Sequence, residues 1–222
     1  MRFIPNPFRL IQRIRHAYGF SVHSPFAFDL ILNTIHTPHS YYIYEDNKRE
    51  IDRAGLMKAA DFKYAELLFR LTNRFNTKDI LEIGSGYGIN TLYIKAHSKH
   101  TMVHCVEKDD EKLKIAQQLL VNKMRNIVFI DLLHNENKKF DAIIWDLNIY
   151  PTQLEETLSL IQDRIKEDGF IILKGINKSK KNKQLWGKAC ELNKLTMSFD
   201  LGSIGIGFFR SSLPKTSYDV YF

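Results

Sequence analysis

Residues 80–90 read Ile-Leu-Glu-Ile-Gly-Ser-Gly-Tyr-Gly-Ile-Asn, and this stretch decides the fold class. It begins as an apolar strand, continues with glycines at alternate positions, and runs into a helix. Such glycines let the backbone turn tightly and approach a ligand closely, and the N-terminus of the following helix offers free N–H groups. In an open α/β sheet, ligands bind at the carboxyl ends of the strands, which is where this loop lies.

The spacing of the glycines narrows the kind of ligand. A dinucleotide-binding fingerprint needs glycines at the first, third and sixth positions, and the sixth position counted from Gly84 is Ile89. The loop does not end in Gly-Lys-Ser/Thr, which excludes a phosphate-binding P-loop. Glu82, at the end of the strand, would repel a diphosphate but attract a cationic ligand such as an ammonium or a sulfonium.

Outward from this stretch, helices and strands alternate from Asp61 onward, which predicts an α/β domain with a mostly parallel sheet. Seven strands are expected, and the last two are close enough to form an antiparallel hairpin around Gly202-Ser203. The predicted strands cover residues 79–84, 101–107, 127–131, 140–146, 170–175, 195–201 and 204–210. The predicted helices, which would cover both faces of the sheet, span residues 61–75, 87–97, 109–124, 151–166 and 181–193.

Residues 1–60 differ in composition, being rich in histidine, arginine and aromatic residues without strand-like alternation. They are predicted to be a helical extension or cap on a domain formed by residues 61–222. Residues 7–18 have the spacing of a basic amphipathic helix. Its apolar face would pack on the domain or on a second subunit, which makes a homodimer one expectation. An anionic membrane surface is the less favoured alternative.

Ser24-Pro25 predicts the start of a second helix that runs to His36, because serine suits the N-cap and proline the first helical position. The tyrosines that follow, Tyr41, Tyr42 and Tyr44, are expected in an extended or turn-like stretch. They could stack on a planar substrate or pack the extension against the sheet.

Composition places the chain among globular proteins. It has 222 residues, 44% of them apolar and 26% charged, with 32 Lys+Arg against 25 Asp+Glu for a net charge of +7. No run approaches the ~18 apolar residues that a membrane span needs, and the N-terminus does not resemble a secretory signal. Cys105 and Cys190 alone fit a reducing cytoplasm and exclude a disulfide scaffold.

A second carboxylate supports a nucleoside ligand. The strand after the glycine loop ends in Glu107, 23 residues after Gly84, where it can accept hydrogen bonds from both ribose hydroxyls. With this residue in place, the sequence resembles class I S-adenosylmethionine-dependent methyltransferases over about residues 61–210, with a Rossmann-like fold. The matching stretches are residues 81–88, Val106-Glu107, 140–146 and 169–173.

Two segments refine this resemblance. Residues 140–146 (Phe-Asp-Ala-Ile-Ile-Trp-Asp) are similar to small-molecule O-methyltransferases of the catechol type. His23-Ser24-Pro25-Phe26 resembles the N-terminal extension of a bacterial methyltransferase subgroup.

The resemblance implies roles for individual residues. Asp146 would face the transferred methyl group and is the first candidate base, with His134 and Tyr150 behind it. Glu107 would hold the ribose hydroxyls of S-adenosylmethionine, and Asp131 would lie near its adenine amino group. The loop residues that would line the rest of the cofactor are Glu82, Gly84, Ser85, Gly86, Tyr87 and Gly88.

One departure concerns metal. Metal-dependent catechol-type enzymes carry an Asp-Asn pair after the fifth strand, and here that position is Lys174-Gly175. A hard cation such as Mg²⁺ needs several oxygen ligands, and Lys174 would repel it. We therefore expect no catalytic metal, and the resemblance to catechol-type enzymes does not extend to their substrates.

The predicted activity is transfer of a methyl group from S-adenosylmethionine to an oxygen or nitrogen of a small molecule, with S-adenosylhomocysteine as product. Two alternatives stay open. An RNA methyltransferase is motivated by the net charge and by the basic run Lys178–Lys183, which is more often a solvated loop. A non-catalytic cofactor-binding module is motivated by the missing metal pair.

Overall fold

The computed structural model describes residues 7–123, 125–130, 138–151 and 153–222. These residues form one mixed sheet in the strand order β3-β2-β1-β4-β5-β7-β6-β8. Its strands are β1 Asp79–Ile83, β2 Met102–Val106, β3 Ile127–Phe129, β4 Phe140–Asp146, β5 Ile165–Lys174, β6 Met197–Asp200, β7 Ile204–Phe208 and β8 Thr216–Asp219.

The first five strands are parallel to one another, and β7 runs antiparallel to both β5 and β6. The predicted Rossmann-like topology and C-terminal hairpin are confirmed. The predicted count of seven strands is wrong, because β8 adds an eighth strand parallel to β6 at the sheet edge. The carboxyl ends of β1, β2, β4 and β5 therefore meet along one edge of the sheet.

The helices formed by the described residues are α1 Pro7–Ala17, α2 Pro25–Leu30, α3 Tyr42–Arg53, α4 Phe62–Arg74, α5 Ile89–Ala96, α6 Asp110–Leu119, α7 Leu154–Arg164 and α8 Lys180–Glu191. The Ser24 hydroxyl caps α2 by accepting a hydrogen bond from the Ala27 amide, as predicted. The rest of that predicted helix, Ile31–Ile35, is a π-helical turn. The buried Arg70 side chain donates to the carbonyl groups of Thr34 and Ile35 in this turn.

Two sequence expectations are corrected. The tyrosines of residues 41–44 open helix α3 rather than an extended stretch. The helix expected from Pro151 to Lys166 is α7, which starts only at Leu154 because Gln153 is its N-cap, and β5 already begins at Ile165. Gly169, expected beyond the helix end, therefore lies inside β5.

Apolar side chains fill both faces of the sheet. One cluster joins α2, α4 and α5 to β1, β5 and β7, with Leu68, Leu92 and Phe208 among its buried members. The other joins α7 and α8 to the opposite face, with Trp145 and Trp186 buried in it, as predicted for these tryptophans. The two layers fix the sheet edge that carries the candidate site.

The first helix packs in an unexpected orientation. Arg13 forms an ion pair of 2.7 Å with Asp200, and the His16 ring bonds to the Asp219 carbonyl oxygen at 2.8 Å. Phe8 and Ile11 remain 80% and 56% exposed. The predicted packing of the apolar face on the domain is therefore wrong, because polar residues of α1 make the contacts to the sheet edge.

Candidate active site

The glycine loop connects β1 to α5 and is held from two sides. Gly84 and Gly86 have φ angles of +80° and +57°, which favour glycine. The Gly84 amide donates to the Val106 carbonyl at the end of β2. A Cβ atom on Gly84 would lie 3.2 Å from the Asp146 carbonyl oxygen and 3.2 Å from the Ile149 Cβ. The loop thus lies between the ends of β2 and β4, at the carboxyl edge of the sheet where the sequence predicts it.

Glu107 follows β2 and is anchored by main-chain amides. Its Oε2 accepts a hydrogen bond of 2.7 Å from the Gly86 amide. Its Oε1 accepts from the amides of Lys108 and Asp109 at 2.9 and 3.0 Å. A carboxylate has about four lone-pair sites and these amides occupy three, so about one acceptor site remains for a ligand hydroxyl group. The side chain is fixed in orientation beside the glycine loop.

Glu82 lies beneath the loop and is only 1% exposed. The Thr91 hydroxyl donates to its Oε2 at 2.6 Å, and the Cys105 thiol contacts the same oxygen at 3.7 Å. The pKa of Glu82 is raised to about 7, first by burial and also by the carboxylates of Asp146 and Glu107, against the lowering effect of these hydrogen bonds. A cation bound nearby would favour the ionised form.

Three buried polar atoms in this region have no hydrogen-bond partner in the described part of the chain. They are the Glu82 Oε1, the Ser85 Oγ and the Tyr64 hydroxyl. Burial first, and then the charges of Asp146 and Glu82, raise the pKa of Tyr64. Unpaired buried polar atoms are rare and costly. Oxygen atoms of this kind fit a ligand that carries an ammonium group.

Asp146 ends β4 and lies beside a lysine. Its Oδ1 accepts a hydrogen bond of 2.9 Å from the Asn148 amide. The Lys174 Nζ lies 3.9 Å from the Asp146 Oδ2 and 2.9 Å from the Asp61 Oδ2. It also lies 4.2 Å from the centre of the Tyr64 ring. A positive charge thus stands between two carboxylates at the end of β5.

Sequence reasoning missed Asp61 and Tyr64. Asp61 carries a local signal only for capping α4, where it accepts a hydrogen bond from the Tyr64 amide. Its ion pair with Lys174 joins positions far apart in the chain. The hydrophobic pattern of α4 includes Tyr64 as a core residue, which hides the polar end of its side chain.

The remaining candidates are dispersed. Tyr150 is 9% exposed, and the Lys108 Nζ lies 4.2 Å from the centre of its ring, so it packs on the Glu107 side. Tyr87 is half-buried against the first hydrophobic cluster, and Gly88 is the N-cap of α5. Asp131 and His134 lie outside the described residues.

The basic run begins where α8 starts. Ser179 caps α8 by accepting a hydrogen bond of 3.0 Å from the Asn182 amide, and the neighbouring lysines are exposed. Within the described ranges, no group of three or more His, Cys, Asp or Glu side chains is arranged to hold a metal ion. No helix built from those residues is long and apolar enough to span a membrane.

Comparison with known proteins adds independent findings. The family model described as "Methyltransferase small domain" matches residues 58–174, just over half of the chain. No curated protein sequence matches at a significant level.

Solved structures share the fold at low sequence identity. A candidate caffeoyl-CoA O-methyltransferase from Staphylococcus aureus has a TM-score of 0.62 at 18% identity, over 77% of this chain and 93% of that one. An O-methyltransferase from Bacillus cereus in complex with S-adenosylhomocysteine has a TM-score of 0.57 at 14% identity, over 77% and 92%. TomG from Streptomyces achromogenes, in complex with S-adenosylmethionine, has a TM-score of 0.57 at 10% identity, over 78% and 92%.

Proposed function

Because this chain belongs to the methyltransferase small domain family, we propose that it transfers a methyl group from S-adenosylmethionine to an oxygen or nitrogen of a small molecule. The observation that carries the proposal is the glycine loop with carboxylates on both sides. Glu107 is fixed by three main-chain amides, and Glu82 lies beneath the loop with one oxygen that no described residue pairs with. This arrangement suits a ligand with ribose hydroxyls and a positively charged end.

In this proposal, Glu107 accepts hydrogen bonds from the ribose hydroxyls. The unpaired oxygens of Glu82, Ser85 and Tyr64 are available to the ammonium group of the methionine part, directly or through water. Gly84 and Gly86 let the loop approach the ligand without side chains in between, and Tyr87 and Gly88 complete it. Asp131 remains the predicted neighbour of the adenine amino group.

S-adenosylmethionine supplies a methyl group already activated on a sulfonium, so the chain's work is positioning and proton removal. The bond from the acceptor atom to the methyl carbon forms as the sulfur–carbon bond breaks, and the electron pair of that bond stays on sulfur. Asp146 takes the acceptor's proton and passes it to water. It is favoured over Tyr150, because Asp146 ends β4 beside the loop whereas Tyr150 packs under Lys108. His134 lies outside the described residues and remains a predicted alternative base.

The proposed reaction uses no catalytic metal. Lys174 brings a positive charge between Asp61 and Asp146, and a divalent cation would be repelled from the same space. Residues 1–60 would act as a cap on a catalytic domain of residues 61–222, in keeping with a family match that begins at residue 58. The exposed apolar residues of α1 support a homodimer, and the two free thiols, Cys105 and Cys190, are in keeping with a reducing cytoplasm.

Calorimetric titration of the purified chain with S-adenosylmethionine and S-adenosylhomocysteine tests the cofactor assignment. We expect both to bind in the micromolar range, and Glu167→Gln, which changes an exposed carboxylate elsewhere, to leave both affinities unchanged. Absence of binding by wild-type protein at high micromolar concentration would refute the proposal. If both ligands bind, methyl transfer to any compound in a broad small-molecule screen would exclude a non-catalytic cofactor-binding module.

A further inference from the structure

A cavity of about 420 Å³ opens beside Lys174, at the carboxyl end of β5. Its walls come from the segment between β5 and α8, the turn between β6 and β7, and the loop after β4. The described residues that line it are Asn148, Lys174, Gly175, Asn177, Lys178, Gly202 and Ser203. This volume lies within the usual range for sites that bind small molecules.

The walls are held together by hydrogen bonds between these segments. The Gly175 amide donates to the Ser203 carbonyl oxygen at 2.6 Å, and the Asn177 side-chain amide donates to the Gly202 carbonyl oxygen. A Cβ atom on Gly175 would lie 2.6 Å from the Asn148 Oδ1, so the loop after β4 packs closely here. The cavity is therefore part of the folded edge and not a gap between independent loops.

The charge of the lining favours an anion. Two lysines, two asparagines and a serine are among the residues that line this space, and none of the described lining residues carries a carboxylate. Lys174 also contacts Asp61 and Asp146. An ammonium has three donors, and two carboxylate partners leave one for a ligand.

The cavity also adjoins the proposed chemistry. Lys174 belongs to its lining and lies 3.9 Å from Asp146, the proposed base. A ligand held by Lys174 would thus have its neighbouring atoms close to Asp146. The Lys174 side chain is only 20% exposed, which suits a small ligand entering a recess better than an extended polymer on the surface.

We propose that this cavity binds the methyl acceptor through an anionic group, a carboxylate or a phosphate, with Lys174 and Lys178 as its recognition residues. The acceptor's hydroxyl or amine then points toward Asp146. This inference rests on the proposed methyltransferase function and names its substrate class.

Matched probes test the charge requirement on the full chain. Salicylate and salicylamide share a ring and a hydroxyl group and differ in a carboxylate against a neutral amide. With S-adenosylhomocysteine present, titration calorimetry should show salicylate binding at least ~10-fold more tightly than salicylamide. Phenyl phosphate and phenol form a second matched pair, which tests whether a phosphate is preferred over a neutral hydroxyl group. Preference for either anion over its neutral partner supports the proposal.

Lysine variants tie the preference to the cavity. Lys178→Met should weaken salicylate binding at least ~3-fold. Lys180→Met is the matched control, because Lys180 is exposed on the same segment and is not among the described residues that line the cavity. Lys174→Met should abolish the preference for the anion, and Lys174→Arg should retain part of it.

Several results would overturn the inference. Equal affinity for salicylate and salicylamide would do so, as would equal effects of Lys178→Met and Lys180→Met. The ligand would be a polymer instead if salicylate and phenyl phosphate did not bind, and short single-stranded RNA bound to wild type but not to Lys178→Met. Titration with S-adenosylhomocysteine alone tests the proposed methyltransferase function separately. If that ligand does not bind, the preference for salicylate over salicylamide is still measured on the protein without S-adenosylhomocysteine.

Discussion

Replacing Glu82 with glutamine should remove a pH-dependent loss of stability that this buried carboxyl group imposes on the protein. Burial raises the pKa of Glu82 from 4.5 to about 7. Between these values the folded protein keeps a proton that the unfolded chain releases, so the free energy of unfolding falls as pH rises. At ~1.4 kcal/mol per pKa unit, this shift contributes about 3 kcal/mol to the free energy of unfolding. The contribution is present below pH 4.5 and is lost as the pH rises above about 7.

Chemical denaturation at a series of pH values, followed by tryptophan fluorescence, measures this contribution. Trp145 and Trp186 are 1% and 7% exposed and will report the loss of the core. The difference in unfolding free energy between wild type and Glu82→Gln should shift by about 3 kcal/mol toward the variant from acidic to mildly alkaline pH. Glu167→Gln, which changes an exposed carboxylate, should follow wild type. Parallel pH profiles for wild type and Glu82→Gln would refute the reasoning.

Three other variants test separate contacts. Glu107→Ala should weaken S-adenosylmethionine binding at least ~10-fold by calorimetry, and unchanged affinity would contradict the ribose assignment. The same variant should lower the melting temperature, because three main-chain amides lose their acceptor. Gly86→Val should remove measurable binding, since valine is strained at a φ of +57° and its Cβ would lie 3.3 Å from the Ile149 Cδ1; wild-type affinity would exclude close approach of the loop to the ligand. Ser24→Ala should cost about 1 kcal/mol of unfolding free energy by denaturation and leave cofactor affinity intact, and no loss of stability would show that the cap of α2 is unimportant.

The parts of the fold that sequence reasoning predicted are those with local signals. The strand, glycine loop and helix around Gly84 lie within a dozen residues, and the cap at Ser24 is a local pattern as well. Helix α3 was missed because one of its buried positions is polar: Tyr44, Asn47 and Ile51 face inward together. Strand β8 is short, polar and at a sheet edge, so its alternation is weak.

The candidate site shows the same division. Glu82 and Glu107 follow from spacing along the chain, whereas the contact of Lys174 with Asp61 depends on how β5 and α4 are brought together. The sequence at 174 excludes a metal ligand and carries no sign of the carboxylate partners. The raised pKa of Glu82 is also a property of the packed structure, because burial is its main cause.

The docking of α1 against the last strand has a consequence for synthesis of the protein on the ribosome. The His16 contact with Asp219 joins residues 203 positions apart, and the Tyr221 amide donates to the Arg13 carbonyl oxygen at 3.1 Å. Helix α1 must therefore wait until the chain 203 positions further on has been translated before its partner exists. During that interval the contacts of Arg13 and His16 with the sheet edge cannot form, and α1 is open to chaperones and to other nascent chains.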